Sequence, residues 1–284
     1  MPLLRRLTDA GIPVRCLVRD PRRLGGQRVR VQIALGDLAD PFSFRHALRG
    51  VQTVVHLGAT IRDQPAGSIE EIDGVASWRL VRAAELAGVE RFLFFSTLGA
   101  SPRSRARLMR AKALAERALF ESTLQSTVFA PSMVYSPGDP FITLLERMSL
   151  LPAIPMLGDG RASFQPIWAE DVAECVLATL PGGPMAEQAV GARYELAGPE
   201  TLTYAEIVAC VLRSLRRRRP TLRVSESVSR RILKTIELVL GPAAFATWDE
   251  AELLEVPLIS PRGTADAELL GIRPKPMAAV LGVG

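Results

Sequence analysis

Two rhythms of apolar residues divide the first half of the chain. Val14–Val18, Val29–Leu35, Val51–Leu57, Arg91–Ser96 and Ser126–Ala130 are short strand-like runs. In "TVVHL" and "RFLFF" the apolar residues are continuous rather than alternating, as expected of strands covered on both faces. Between the runs lie segments with helical spacing and legible ends. Asp40-Pro41 offers an N-cap followed by proline at the first helical position, and Gly50 closes that segment. Ser68-Ile-Glu-Glu71 is a capping box that opens a helix to about Ala87, with Gly88 as its stop. Ahead of the first strand, Leu3, Leu4 and Leu7 recur at helical spacing before Gly11. Strand and helix alternating in this order predict an α/β fold with a doubly wound parallel sheet.

The texture changes after "APSMVYSPGDP". Pro131, Pro137, Pro140, Pro152 and Pro155 break the chain into loops and short helices. The strand-like "SFQPIW" leads into a helix from about Asp171 to Leu180, and "ARYELAG" reads as a further strand. Thr203-Tyr-Ala-Glu206 is a second capping box, opening a helix that reaches the arginine run. The expected division is a first domain over residues 1–138 and a smaller, partly interleaved substrate-side lobe over 139–284.

At 284 residues and 48% apolar, the chain can bury a full-sized core. No apolar run approaches the roughly 18 residues of a membrane span, and "MPLLRRLTDAG" lacks the apolar region of a secretory signal. The expectation is a soluble cytoplasmic protein. The net charge of +5 raises the question of nucleic acid, but the arginines are scattered and not interleaved with aromatics. Their one run, Arg216 to Arg219, precedes Pro220 and reads as a helix end whose dipole it complements. Cys16, Cys175 and Cys210 are far apart, which suggests neither a zinc site nor a disulfide framework. His56 reads as a buried strand-end histidine, and Trp78, Trp168 and Trp248 as packing residues.

"VRCLVRDP", "GDLADPFSFRHALRGVQTVVHLGAT", "AAELAGVERFLFFSTLGAS", "RAKALAERAL", "STVFAPSMVYSPGD" and "PIWAEDVAECV" together resemble the atypical, extended-type short-chain dehydrogenase/reductases. Within that superfamily the resemblance is to the NAD(P)-binding proteins grouped with the NADPH-carrying accessory subunit of mitochondrial complex I and with NmrA-like sensors. It implies a Rossmann-like fold and a dinucleotide partner. Arg19, with Arg23 behind it, stands where the family meets the adenosine ribose, and a guanidinium there suits the 2′-phosphate of NADP. Asp20 directly follows and leaves NAD open. By the same resemblance Asp37 and Leu38 of "GDL" meet the adenine. Gly58 and Ala59 of "HLGAT" admit the cofactor, and Pro131 and Met133 of "APSMV" lie beside the nicotinamide.

Reductases of this superfamily carry Tyr-x-x-x-Lys on a helix, where the ammonium lowers the phenol pKa and holds the ribose. The matching segment here is "LMRAK": Lys112 is in place as a ribose-binding group, but Leu108 replaces the tyrosine. "FFSTLGAS" offers Ser96 and Thr97 yet puts Leu98 where the family's serine often falls. By the same resemblance Thr97 is taken as the candidate catalytic hydroxyl, although the leucine departs from the family's serine. Two leucines at these points argue against ordinary carbonyl reduction and favour a sensor, assembly or accessory role. The alternative is an oxidoreductase or epimerase/dehydratase-like enzyme acting on a small, quinone-like or lipid-like substrate.

A family member also opens with a β-strand and a glycine-rich turn, which holds the pyrophosphate on the following helix N-terminus. Here Met1 falls within what resembles that helix, so the reading expects a fold lacking its first strand and about fifteen residues of a longer protein. On that expectation the chain as it stands also has a third outcome, in which it binds no nucleotide.

Overall fold

The computed structural model describes residues 2–157, 160–224, 231 and 248–283. It divides into two compact units, Met1–Ala130 with Ala173–Tyr194, and Pro131–Val172 with Glu195–Gly284.

In the first unit, helix α1 (Pro2–Asp9) buries Leu4 and Leu7. Strand β1 (Arg15–Val18) pairs in parallel with β2 (Gln32–Leu35). The sequence rhythm starts the second of these at Val29, and the structure corrects that. Asp20 accepts a hydrogen bond from the Arg22 N–H and opens a run of 3₁₀ turns over Pro21–Val29, kinked at Gly25 (φ 56°). Cap, proline and glycine together fix the turns, and the exposed Val29 follows them despite its β-branched side chain.

Strands β3 (Thr53–His56), β4 (Arg91–Phe95) and β5 (Gln125–Pro131) form a parallel ladder with Val54 opposite Phe92 and Leu93 opposite Thr127. The strand Ala192–Leu196 (β10 in chain order) extends the sheet beyond β5. Among the described residues no strand bonds to the outer edge of β3 or of β1, so the unit holds a two-stranded and a four-stranded sheet.

Both expected helix starts are present. Asp40 accepts from Phe42 N–H ahead of α2 (Pro41–Phe44), which continues as a 3₁₀ turn to Leu48 before Gly50 (φ 68°). Ser68 and Glu71 exchange the bonds of a capping box, but the turn they open is a π-turn, Glu70–Val75, that passes into α3 (Ala76–Leu86). With α4 (Arg107–Phe120), these helices bury Phe44, Leu80, Val81, Ala84, Ala115 and Leu119 against Phe92, Phe94 and Val128 of the sheet. Trp78 is a correction: it lies on the outer face of α3, exposed.

The second unit is built from strand pairs rather than one broad sheet. Parallel pairs join β6 (Val134–Tyr135) to β9 (Ile167–Trp168) and β7 (Ile154–Leu157) to β12 (Thr221–Val224). An antiparallel pair joins β8 (Ser163–Phe164) to β11 (Leu202–Thr203). Helices α5 (Pro140–Met148) and α7 (Tyr204–Ser214) pack Ile142, Leu145, Ile207, Val208 and Val211 around Tyr135, Met156 and Phe164. Thr203 and Glu206 make the reciprocal capping box expected for α7. Trp168 packs against this core, with the Lys275 ammonium 4.7 Å above its ring; the side chain of Trp248 lies outside the described residues. Asp171, in the first turn of α6 (Ala169–Thr179), accepts from the Lys275 N–H at 2.9 Å.

Gly198 meets a tight backbone approach. A Cβ there would stand 1.8 Å from the Pro166 carbonyl oxygen. Gly198→Ala is expected to cost about 1–3 kcal/mol or more, because backbone cannot yield as a side chain does. Urea unfolding checks this, and an unchanged midpoint would contradict it.

Candidate functional site

The residues that the resemblance assigns to the adenosine end all lie in the first unit, where Arg19 approaches Asp37 and Leu38 approaches Gly58. Arg19 follows β1 directly and is half exposed, with its guanidinium 3.8 Å from Asp37. An exposed pair at that distance is worth about 0–1 kcal/mol, so the guanidinium stays open to a stronger anion. Asp20 beside it is engaged within its own turn. Its carboxylate accepts from both the backbone N–H and Nε of Arg22, which holds it below the usual carboxylate range. Arg23 is exposed on the same turn.

Asp37 shapes a turn of its own, accepting from the Ala39 N–H, while Ser43 Oγ accepts from its N–H. Leu38 is brought against Gly58: a Cβ on Gly58 would lie 2.9 Å from Leu38 Cδ1 and 2.8 Å from His56 Cε1. The "GDL" and "HLGAT" segments therefore meet at Gly58, where any larger residue would have to displace the Leu38 or His56 side chain, and Ala59 beside them is exposed.

Beneath that loop lies a buried polar cluster. Lys112 is 3% exposed, and its ammonium stands 3.0 Å from Asp73 and donates to the Gly58 carbonyl at 3.2 Å. It also sits 5.0 Å from the centroid of the Phe94 ring. Asp73 accepts from the Thr60 N–H at 2.8 Å, so one carboxylate ties the loop to α4. Burial pushes the Asp73 carboxyl up, opposed by the Lys112 charge and the Thr60 bond. His56 sits beside them with Nε2 2.9 Å from Ser77 Oγ, while the Gly58 N–H points at Nδ1. These partners place the ring proton on Nε2 and the acceptor on Nδ1. Burial, with Lys112 nearby, lowers its pKa to about 3.

Asp73 escapes a reading by motif because it lies inside an apparently ordinary helix start. The π-turn over Glu70–Val75 sets the face on which its carboxylate meets Lys112. The same turn carries Glu70, 2.6 Å from Arg107 at the start of α4.

Leu108 is buried on α4, four residues before Lys112, and Leu98 is buried after β4. Neither position carries a proton donor. Thr97, half buried, donates its hydroxyl to the carbonyl of Leu98. Beside it is a trio the sequence pattern does not advertise. Ser96 Oγ donates to Glu116, whose other oxygen lies 3.1 Å from Arg193 Nε. Glu116 is one turn beyond Lys112 on α4, and that spacing is the only sequence signal it offers. Pro131 and Met133 are in the second unit, where Pro131 is buried and Met133 packs on the core around Tyr135.

Residues 2–180 match the family described as NAD(P)H-binding. The chain belongs to that family. Among its relatives is the photosystem II assembly factor Ycf39 of Cyanophora paradoxa, 34% identical over 128 residues, which are 45% of this chain and 40% of that protein. Subunit 9 of the NADH dehydrogenase [ubiquinone] 1 alpha subcomplex, mitochondrial, from Arabidopsis thaliana is 28% identical over 216 residues, 72% of this chain and 52% of that one. The chain thus spans about half the length of these two relatives. A nucleoside-diphosphate-sugar epimerase from Staphylococcus aureus superposes with a TM-score of 0.73 at 20% identity, covering 98% of this chain and 94% of that one. That likeness supports the Rossmann-like α/β fold alone. This NAD(P)-binding family member has, among its described residues, no helix long and apolar enough to cross a membrane.

Proposed function

We propose that the chain is an NAD(P)-binding protein with a sensing, assembly or accessory role and no tyrosine-dependent turnover. One observation carries this reading. Leu108 is buried one helical turn before Lys112, whose ammonium already serves Asp73 and the Gly58 carbonyl. A phenol–lysine relay needs an acid at the first position and a charge that reaches it, and leucine has no proton to transfer. The relatives' printed roles, an assembly factor and a respiratory-complex subunit, lend support by analogy. All three cysteines are thiols, which suits the cytoplasmic location proposed with this role.

The proposed dinucleotide is NADP. Arg19 and Arg23 present guanidinium groups at and just after the end of β1, while Asp20 is engaged with Arg22. Adenosine 2′,5′-bisphosphate is expected to bind about tenfold tighter than 5′-AMP, the worth of roughly one charge-assisted hydrogen bond. Arg19→Glu is expected to remove the difference. Calorimetric titration of both nucleotides decides it, and equal affinities would defeat the 2′-phosphate reading. Steady oxidation of NADPH by a carbonyl or quinone would overturn the non-catalytic reading.

One arrangement favours a second reading, an NAD(P)-dependent oxidoreductase or epimerase-like enzyme on a small, quinone-like or lipid-like substrate. The Ser96 hydroxyl, held by Glu116 at the end of β4, is a proton-bearing group close to Thr97 in sequence. Under that reading Glu116→Gln abolishes turnover, whereas Leu108→Tyr changes little.

A further inference from the structure

We propose that the second unit docks peripherally on an anionic phospholipid surface through a leucine ridge set among arginines. Two separate stretches of chain build it. The first leaves α5 at Met148 and carries Leu150, 68% exposed, and Leu151, 47% exposed. The second follows the C-terminus of α7, where Arg216 takes a left-handed backbone (φ 53°) and the Arg217 N–H closes on the Leu212 carbonyl.

Ser149 joins the stretches. Arg217 donates to its Oγ at 2.6 Å and Arg219 Nε to its carbonyl at 3.0 Å. The Ile154 N–H then bonds the Pro220 carbonyl, and β12 runs beside β7 with Leu222, 60% exposed, opposite Pro155. Arg217 and Arg219 thus act as staples, while Arg147 in the last turn of α5, Arg213 in the last turn of α7, and Arg216 and Arg218 after it are exposed on the same two stretches or the helix ends that lead into them. Residues 147–157 and 207–224 contain no aspartate or glutamate.

Single exposed leucines need no explanation, but three carried with exposed arginines on two stretches that Ser149 and the β7–β12 pair tie together do. A bilayer interface suits both halves of the patch. Leucines enter the boundary between headgroups and acyl chains, and guanidinium groups remain with the lipid phosphates. The charge gives the preference for anionic lipid, and the effect falls off with salt. Nucleic acid would use the arginines but has no use for exposed leucines that, among the described residues of these two stretches, no aromatic accompanies.

The full chain is tested by flotation with vesicles of phosphatidylcholine, alone or mixed with phosphatidylglycerol. Binding to the mixed vesicles at low salt is expected, with at least a tenfold smaller bound fraction on phosphatidylcholine alone. Arg147→Glu with Arg218→Glu, and separately Leu150→Ser with Leu151→Ser, are each expected to reduce binding at least tenfold without moving Tm. Three results would overturn the proposal. One is equal recovery on both vesicle types. Another is loss of binding with the arginine pair only, accompanied by arginine-dependent binding to single-stranded DNA. The third is a lipid-independent dimer abolished by the leucine pair.

Discussion

Asp73→Ala is expected to lower the stability of the chain by about 3–5 kcal/mol, the usual cost of leaving a buried charge without its partner. The side chains of Asp73 and Lys112 are 0% and 3% exposed, so water cannot replace the lost carboxylate. The Thr60 N–H, which donates to Asp73, loses its acceptor in the same change. Asp73→Leu combined with Lys112→Met removes both charges and is expected to recover most of the loss, because each ion's desolvation disappears with it. The double variant also separates stability from binding. If Lys112 acts on the cofactor by holding the Gly58 loop, the double variant folds but binds dinucleotide more weakly. Urea unfolding and nucleotide titration on the same samples give both answers. A loss under 1 kcal/mol for Asp73→Ala would mean that the ammonium reaches solvent.

Acid is expected to weaken the fold through His56. Its folded pKa of about 3 lies below the ordinary value of 6.5, so the unfolded chain takes up a proton that the folded chain refuses. The resulting contribution is fully present above pH 6.5 and is lost as pH falls towards 3. Between pH 7 and pH 5 the expected loss from this one group is about 2 kcal/mol. His56→Gln keeps hydrogen-bonding atoms near Ser77 and Gly58 but cannot titrate, so its stability should change correspondingly less over that interval. Parallel pH profiles of ΔG for the two proteins check the difference. Superimposable profiles would show that the imidazole is not the group responsible.

The alternation of strand and helix, the capping residues at Asp40, Ser68 and Thr203, and the stops at Gly50 and Gly88 were all legible from residue type and spacing. These are local effects, in which a side chain satisfies its own backbone or a glycine accepts a conformation other residues resist. Arg19 at the end of β1, and Leu108 where the family carries a tyrosine, stand out only through the family resemblance, which supplies the template against which they are seen. Val29 shows the limit of propensity, since its β-branched side chain is overruled by a cap, a proline and a glycine in the preceding turns.

What spacing cannot convey is which distant groups meet. The sequence supplies Lys112 but not its partner Asp73, 39 positions earlier, because their contact depends on the π-turn and on how α4 packs against it. It supplies Gly58 as a small residue, but only the fold brings Leu38 and His56 against it. Ser96 becomes interesting only once Glu116 and Arg193 reach it. The arginine run likewise reads as a solvated helix end until Ser149 draws two exposed leucines beside it. Local backbone chemistry determined the elements. Long-range packing decided which charges are buried, paired or left facing outward, because desolvation depends on neighbours that the order of residues does not name.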